Sequence, residues 1–376
     1  MFMGGNRYVY NANTFPPISI QGCDAGMEYR KLVKFGTATY CVSLPKPWIR
    51  QNKLKKGDVL QIKEDEDGSL KVQTRAGPRP SEIKEITLDI TGMGAEEIKR
   101  RILVSYINDF SIINLKGDIG GRVQALRDIF HEFVALEVLD LTENHITAKA
   151  FVDVSETNPL SVLHRMDLIL KTMFSEMGGC FSSPAKAKLV IENDYEVNRL
   201  HFFTLKLLTR GLRDIETARK WDMSPTELAF TMVFADKLEK IADRLKRLAD
   251  IFTKVPFSDI VQKGLKGHLL AVETNYRDAL SAFYKRDTAI AHRVITRRNE
   301  IISKLENTEL TCLKDRCAKV GFGIPMTLEY LSRISFLTED IARVVLDINP
   351  LEQEKSGRGT LVAGVPARHQ ALVHEA

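Results

Sequence analysis

The sequence predicts a multidomain α+β protein with a small β-rich head, a middle α+β domain and an all-α C-terminal half. Three observations predict it. A base-rich β-α-β run occupies Arg30 to Glu64. Residues 85–154 read as β-α-β-α-β-β. From Pro159 to Asn349 the apolar spacing is helical, in six long segments parted by short breakers. The expected boundaries are 1–26 for a disordered extension, 27–76 for the head, 84–154 for the middle domain, 158–349 for the helices and 351–376 for a flexible tail.

The first 26 residues are rich in Asn, Gly and Pro and show no periodicity. Met27 stands just before the head as a possible alternative start. In the head, strand-like runs at Leu32–Phe35 and Tyr40–Leu44 flank a tight Gly36-Thr37-Ala38-Thr39 connection. Pro45 suits the first turn of a short helix ending near Asn52, because its missing N–H would have been unpaired there. Leu54-Lys55-Lys56-Gly57-Asp58 turns the chain back, and Gly57 tolerates positive φ. Val59 to Ile62 alternates as a half-buried strand does. Asp67-Gly68 signals a second hairpin, completed by Ser69 to Thr74. The run from Arg30 to Glu64 holds nine Lys/Arg against two acids. So small a unit buries too little apolar surface to stand alone, which predicts an intertwined homodimer. Ala76-Gly77-Pro78-Arg79-Pro80 is a linker by composition.

In the middle domain, strands are expected at 86–90, 110–115, 136–141 and 145–152, with helices at 95–108 and 120–133. Glu96 and Glu97 precede Lys99, Arg100 and Arg101, the order that suits a helix dipole. Gly117 to Gly121 lies between strand and helix. It reads as a plain turn, or more weakly as a cradle of N–H groups for an anion.

The six helical segments are 160–177, 185–221, 225–255, 258–285, 288–320 and 325–348, the second and fifth open to interruption. Ser224-Pro225-Thr226-Glu227 carries a capping box with Pro at the first helical position. Val190 to Val197 aligns with Val294 to Ile301, and Leu238 to Asp243 with Leu331 to Phe336. Each copy supplies the second and third helix of a three-helix unit, so two stacked three-helix bundles are expected.

Composition narrows the function. The chain has 376 residues, enough for two or three domains, and a net charge of only +5. Its positive charge is therefore local to the head, as a binding face requires. Its five cysteines are odd in number and scattered, without a CxxC, which predicts reduced thiols and a cytoplasmic protein. There is no apolar run of eighteen residues and no signal-like N-terminus. P-loop, G-x-S-x-G, HExxH and nucleophile–base spacings are missing, so no enzyme is expected. The histidines of the helices, among them His201, read as packing or surface residues.

Two resemblances follow from these residues. The order strand, G-x-x-x turn, strand, V-S-L-P-K-x-W, L-K-K-G-D, strand resembles the AbrB/SpoVT swapped-hairpin DNA-binding family. That implies a dimer with interleaved strands and a basic face for duplex DNA. The segment from about Asn158 to Ile348 resembles PhoU, through Ala235-Asp236-Lys237-Leu238-Glu239-Lys240-Ile241-Ala242-Asp243 and Asn193-Asp194-Tyr195-Glu196-Val197-Asn198-Arg199-Leu200. The pairing resembles an archaeal type of phosphate-uptake regulator. It implies control of phosphate transport, with a transport ATPase or a signalling protein as further partner.

For duplex DNA the candidate contacts are Arg30, Lys31, Lys34, Lys46 and Arg50, with Lys53, Lys55 and Lys56 as outer phosphate contacts. Lysines position a protein on phosphates, whereas an arginine can read a guanine edge. In the helices, Glu239 and Asp243 are four apart on one face, Asp236 borders that face, and Asp194 and Glu196 lie on the preceding helix. Converging carboxylates suit a hard cation such as Mg²⁺, or iron or zinc. The PhoU resemblance implies that some members hold multinuclear metal clusters there. The competing reading pairs these acids with Lys240, Arg244 and Lys246. In the second repeat Arg298, Ser332 and Phe336 stand where Asp194, Glu239 and Asp243 have their counterparts, so only the first site is expected to survive. Three functions follow: a DNA-binding regulator with a sensing body, an adaptor whose head only dimerises, and a metal-binding protein.

Overall fold

The computed structural model describes residues 30–35, 39–64, 68–74, 84–152, 154–314 and 323–349. The expected extension, alternative start, linker and tail lie outside the described residues. The chain divides into two compact units, Met1–Glu82 and Ile83–Ala376.

The first unit is built of two separate antiparallel hairpins. β1 (Val33–Phe35) pairs with β2 (Thr39–Cys41), and β3 (Leu60–Glu64) with β4 (Leu70–Thr74). Between them lies α1 (Lys46–Gln51), with Pro45 one position earlier than expected, at the N-cap. Gly57 has φ +98, as the turn required. In the second hairpin Ile62 faces Val72 and Glu64 faces Leu70. Alternation thus places Leu60, Ile62, Leu70 and Val72 on one face. That face is partly open: Ile62 is 63% exposed and Leu70 66%, while Leu60 and Val72 are half-buried. A two-stranded hairpin is marginal in water by itself. The exposed part of this apolar face, Ile62 and Leu70, is the physical reason this unit needs something packed on it.

In the second unit the sheet order is β5-β6-β8-β7, from β5 (Glu85–Asp89), β6 (Ile112–Lys116), β7 (Leu136–Leu141) and β8 (His145–Ala150). β5 and β6 are parallel and the other pairs antiparallel. Parallel neighbours need a crossover, which α2 (Ala95–Ile107) supplies; α3 (Val123–His131) connects β6 to β7. Ile98 and Ile102 of α2 and Leu126, Ile129 and Phe130 of α3 are buried, as are Leu88, Ile113, Leu115, Ile146 and Ala148 of the strands. The 117–121 segment bends at Gly117 and runs into a short 3-10 turn at Gly120–Arg122. Gly117 and Ile119 donate their N–H groups to the carbonyls of Asn144 and Glu143, so two of the five N–H groups of the segment are turned to backbone acceptors. Gly117 has φ +128 there, and a Cβ would come within 2.8 Å of the Thr91 hydroxyl.

The helical body is two three-helix bundles, as the repeat predicted. α4 (Pro159–Met177), α5 (Pro184–Arg213) and α7 (Pro225–Lys254) pack together, and so do α8 (Asp259–Lys285), α9 (Thr288–Lys314) and α10 (Gly323–Ile348). α10 also packs on α7 and joins the bundles. The second expected segment is interrupted at Asp214. Its carboxylate accepts from Glu216 N and the Thr217 hydroxyl, capping the short α6 (Ile215–Lys220). The Ser224–Glu227 capping box forms in full. Gly211 is required at the corner, since a Cβ there would lie 2.7 Å from the Trp221 ring.

The middle sheet and the helical body are one compact unit. α5 carries Lys206, Arg210 and Arg213 along one face, at i, i+4 and i+7, and this face meets the C-terminal end of α2. Lys206, 1% exposed, donates to the Tyr106 carbonyl at 3.1 Å and pairs with Asp109 at 3.1 Å. Arg210 also pairs with Asp109, and Arg213 donates to the Asn108 carbonyl. Cations at the carbonyl end of a helix complement its dipole. Beside them Phe133 stacks on Phe202 of α5, with ring centroids 5.6 Å apart.

Candidate functional site: a basic head and a carboxylate seam

All eight candidate DNA contacts are exposed: Arg30, Lys31, Lys34, Lys46, Arg50, Lys53, Lys55 and Lys56. They come from the approach to β1, from β1 itself, from α1 and from the following turn. Lys34 is paired in register with Tyr40, so its side chain projects from the same face as the Tyr40 ring, which is 60% exposed. Arg30 reaches Ser43 across the hairpin at 3.5 Å. Lys53 takes φ +53 just after α1, and its backbone N–H bonds to Arg50 O. The Asp58 carboxylate accepts from Lys55 N at 2.7 Å. One of the head's few acids is thereby spent on the turn's backbone rather than on a neighbouring base.

Of the five candidate carboxylates, Asp194, Asp236, Glu239 and Asp243 act on one another at the antiparallel seam of α5 and α7, whereas Glu196, two residues from Asp194, lies on another face of α5. Four of the five are held by bases. Asp236 pairs with Lys240 at 2.7 Å, Asp243 with Arg244 at 2.6 Å, and Glu196 with Arg199 at 3.0 Å. Asp194, only 3% exposed, takes Lys246 at 2.5 Å, and Lys246 also reaches Asp243 at 3.4 Å. Burial pushes the Asp194 carboxyl up, and Lys246 offsets part of this. Burial pulls the Lys246 ammonium down, but Asp194 and Asp243 outweigh it and leave it raised. Lys246 therefore stays charged between two carboxylates, the position a bridging cation would take.

Glu239 is half-buried, and its carboxyl is raised by burial and then by the charges of Asp243, Asp194 and Asp236. Among the described residues no group of three or more His, Cys, Asp or Glu is arranged to hold a metal ion. The residues do not fit a metal cluster. The reason is the base on the next turn, since Lys246 neutralises the seam from within the same chain.

The second bundle repeats the arrangement with its charges exchanged. By the internal alignment Arg298 corresponds to Asp194, Phe336 to Asp243 and Glu339 to Lys246. Arg298 pairs with Glu339 at 2.5 Å, and its guanidinium lies 4.9 Å from the centre of the Phe336 ring. Burial pushes Glu339 up, but Arg298 and Arg343 outweigh it and hold the carboxyl low. Each bundle thus closes the seam of its second and third helices with one ion pair. Base on one helix and acid on the other in one bundle become acid and base in the other.

Three buried polar groups lie outside the predicted sites. His201 lies on α5, seven residues from Asp194, 9% exposed, with neither ring nitrogen hydrogen-bonded. Burial lowers its pKa to about 4, against the opposing pull of Asp236. Asp167 on α4 is fully buried and held by Lys171 at 2.7 Å and the Tyr276 hydroxyl at 3.2 Å. Lys206 is the third. A lone polar residue on a helix carries no periodic signature that separates burial from exposure; only the spacing of Lys206, Arg210 and Arg213 hinted at a shared face. The predicted reduced thiols are unpaired where described: Cys41 is exposed and Cys180 buried.

Residues 33–81 match the family model described as antidote-toxin recognition MazE, bacterial antitoxin. The matched segment spans both hairpins and α1, the part of the chain whose sequence resembles the AbrB/SpoVT swapped-hairpin family. No curated protein matches the chain. No helix among the described residues is long and apolar enough to cross a membrane.

Proposed function

We propose that the chain is a homodimeric DNA-binding regulator of phosphate uptake, acting in the cytoplasm, with its helical body as sensor or partner-binding module. The observation that carries this reading is the base-rich hairpin head, which matches the MazE model over 33–81 and presents all eight candidate bases to solvent. The partly open apolar face of the second hairpin favours a second copy as its cover, because interleaved strands bury such faces mutually. The phosphate role rests on the resemblance of 158–349 to PhoU. The tandem bundles are consistent with that resemblance, although their seams carry ion pairs in place of metal ligands.

The test is DNA binding across a salt series. A dimer with Arg30→Ala and Lys34→Ala lacks four head charges. Each phosphate contact contributes about 0.9 to the slope of log K against log salt. If all four touch phosphate, the slope falls by about 3 to 4 and affinity drops at every salt concentration. Affinity and slope equal to wild type would falsify the assignment.

A second reading is favoured by the matched family, whose members are described by toxin recognition. Here the head dimerises and binds protein, and the body docks on a transport ATPase or kinase as an adaptor. The same variants discriminate: an adaptor keeps its dimer and its partner while showing no salt-dependent DNA binding in the wild type either.

A further inference from the structure

We propose that the cleft between α7 and α10 is a binding site for a phosphate group, free or carried on a small organic monoester. It lies where the two bundles meet, has a volume of roughly 320 Å³, and is lined by three arginines (Arg244, Arg247 and Arg333), two acids (Asp243 and Glu329), Tyr330 and Met326. This size is at the lower end of small-molecule sites. The proposal stands on this geometry and goes beyond the DNA-binding reading of the head.

The charge of the cleft is incompletely cancelled. Asp243, at its rim, is shared by three cations: Arg244 at 2.6 Å, Lys246 at 3.4 Å and Arg247 at 3.9 Å. One carboxylate cannot neutralise three bases, and Asp194 takes up only Lys246. Arg247 is left with a single loose contact, and the buried Nε of Arg244 has no hydrogen-bond partner. Across the cleft Arg333 is held by Glu329 at 2.6 Å, and that carboxylate is 57% exposed. An exposed pair of this kind is weak, so a doubly charged oxyanion can take the guanidinium while Glu329 turns to water. Planar guanidinium forks match phosphate oxygens two at a time. Tyr330, half-buried, and Met326, 45% exposed, offer an apolar wall beside the arginines, suited to a sugar or base attached to the phosphate. A ligand here would touch both bundles at once, so its binding would depend on how α10 sits against α7.

The test is calorimetric titration of the full chain with inorganic phosphate and, separately, adenosine monophosphate, each in chloride buffer. One saturable site per chain is expected, weakened at least tenfold by Arg247→Ala and by Arg333→Ala. Both side chains are more than half exposed, so the variants should unfold like wild type. Tighter binding of the nucleotide, reduced by Tyr330→Ala, would identify a monoester; equal binding of both probes would identify the free ion; either supports the site. Neither probe saturating, or both variants binding as wild type does, would overturn it. Arg30→Ala and Lys34→Ala should leave these titrations unchanged, so the head's assignment and this one fail separately.

Discussion

Removal of the Lys206 ammonium should loosen the joint between the middle sheet and the helical body. Lys206→Met keeps most of the buried stem and deletes the charge. The Tyr106 carbonyl then loses the ammonium donor at 3.1 Å, and the contact with the Tyr106 ring, 4.6 Å from the ammonium, goes with it. A stranded buried acceptor costs about 1–3 kcal/mol and a desolvated cation–π contact about 2. Breaking a buried ion pair costs about 3–5 kcal/mol when the partner is orphaned. Asp109 is not orphaned, because Arg210 still holds it at 3.1 Å and it is 21% exposed. The variant also avoids the cost of holding a dehydrated ammonium in the interior, worth several kcal/mol. The net expectation is a loss of about 2 kcal/mol for Lys206→Met. Lys206→Ala should lose about 4, since three further buried methylenes at about 0.8 kcal/mol each are removed. Urea unfolding gives the size, and amide exchange gives the place: protection should fall first in 84–152. A Lys206→Met protein as stable as wild type, with even protection, would show that dehydrating the lysine costs as much as its contacts return, and the joint would be apolar packing alone.

Two further outcomes are expected. His201 has a folded pKa of about 4 against an ordinary 6.5, so between these values the unfolded chain binds a proton that the folded chain refuses. Stability should therefore fall by about 3 kcal/mol as pH drops from 6.5 to 4, and His201→Leu should flatten this part of the profile in urea titrations at stepped pH; an unchanged slope would refute the assignment. For the seam, purified wild-type protein should carry no stoichiometric Mg²⁺, Fe or Zn, whereas Lys246→Ala should both destabilise the first bundle and acquire affinity for a divalent cation, read by metal analysis; equal metal content in the two proteins would sink the claim that Lys246 takes the cation's place.

Much of the helical body was legible because its signals are local or periodic. The Ser224 capping box, the proline-led helix starts and the 3.6-residue spacing all act within a few residues. The internal repeat doubled the signal and implied two bundles. The middle sheet's elements were readable for the same reason, but its strand order was not, since pairing β6 with β8 joins residues 29 to 37 apart.

At the seam, the sequence listed the acids and the bases that compete for them. It did not say which base reaches which acid. Asp194 and Lys246 are fifty-two residues apart, and their contact exists only because α5 and α7 pack antiparallel in one register. The same packing exchanges the charges of the equivalent pair in the second bundle and leaves His201 without a partner.

By itself the sequence determined the three-part order of elements, the concentration of charge in the head and the duplication of the helices. These follow from side-chain periodicity, capping and composition, which neighbouring residues decide among themselves. Tertiary structure alone decided that the middle sheet and the bundles form one unit, through Lys206 buried against the end of α2 and the half-buried Phe202 stacked on Phe133. It also decided that the carboxylate seam is closed by lysine, and that three arginines from two bundles share a cleft. Those outcomes depend on which faces meet at a distance along the chain, and local propensity carries no record of that.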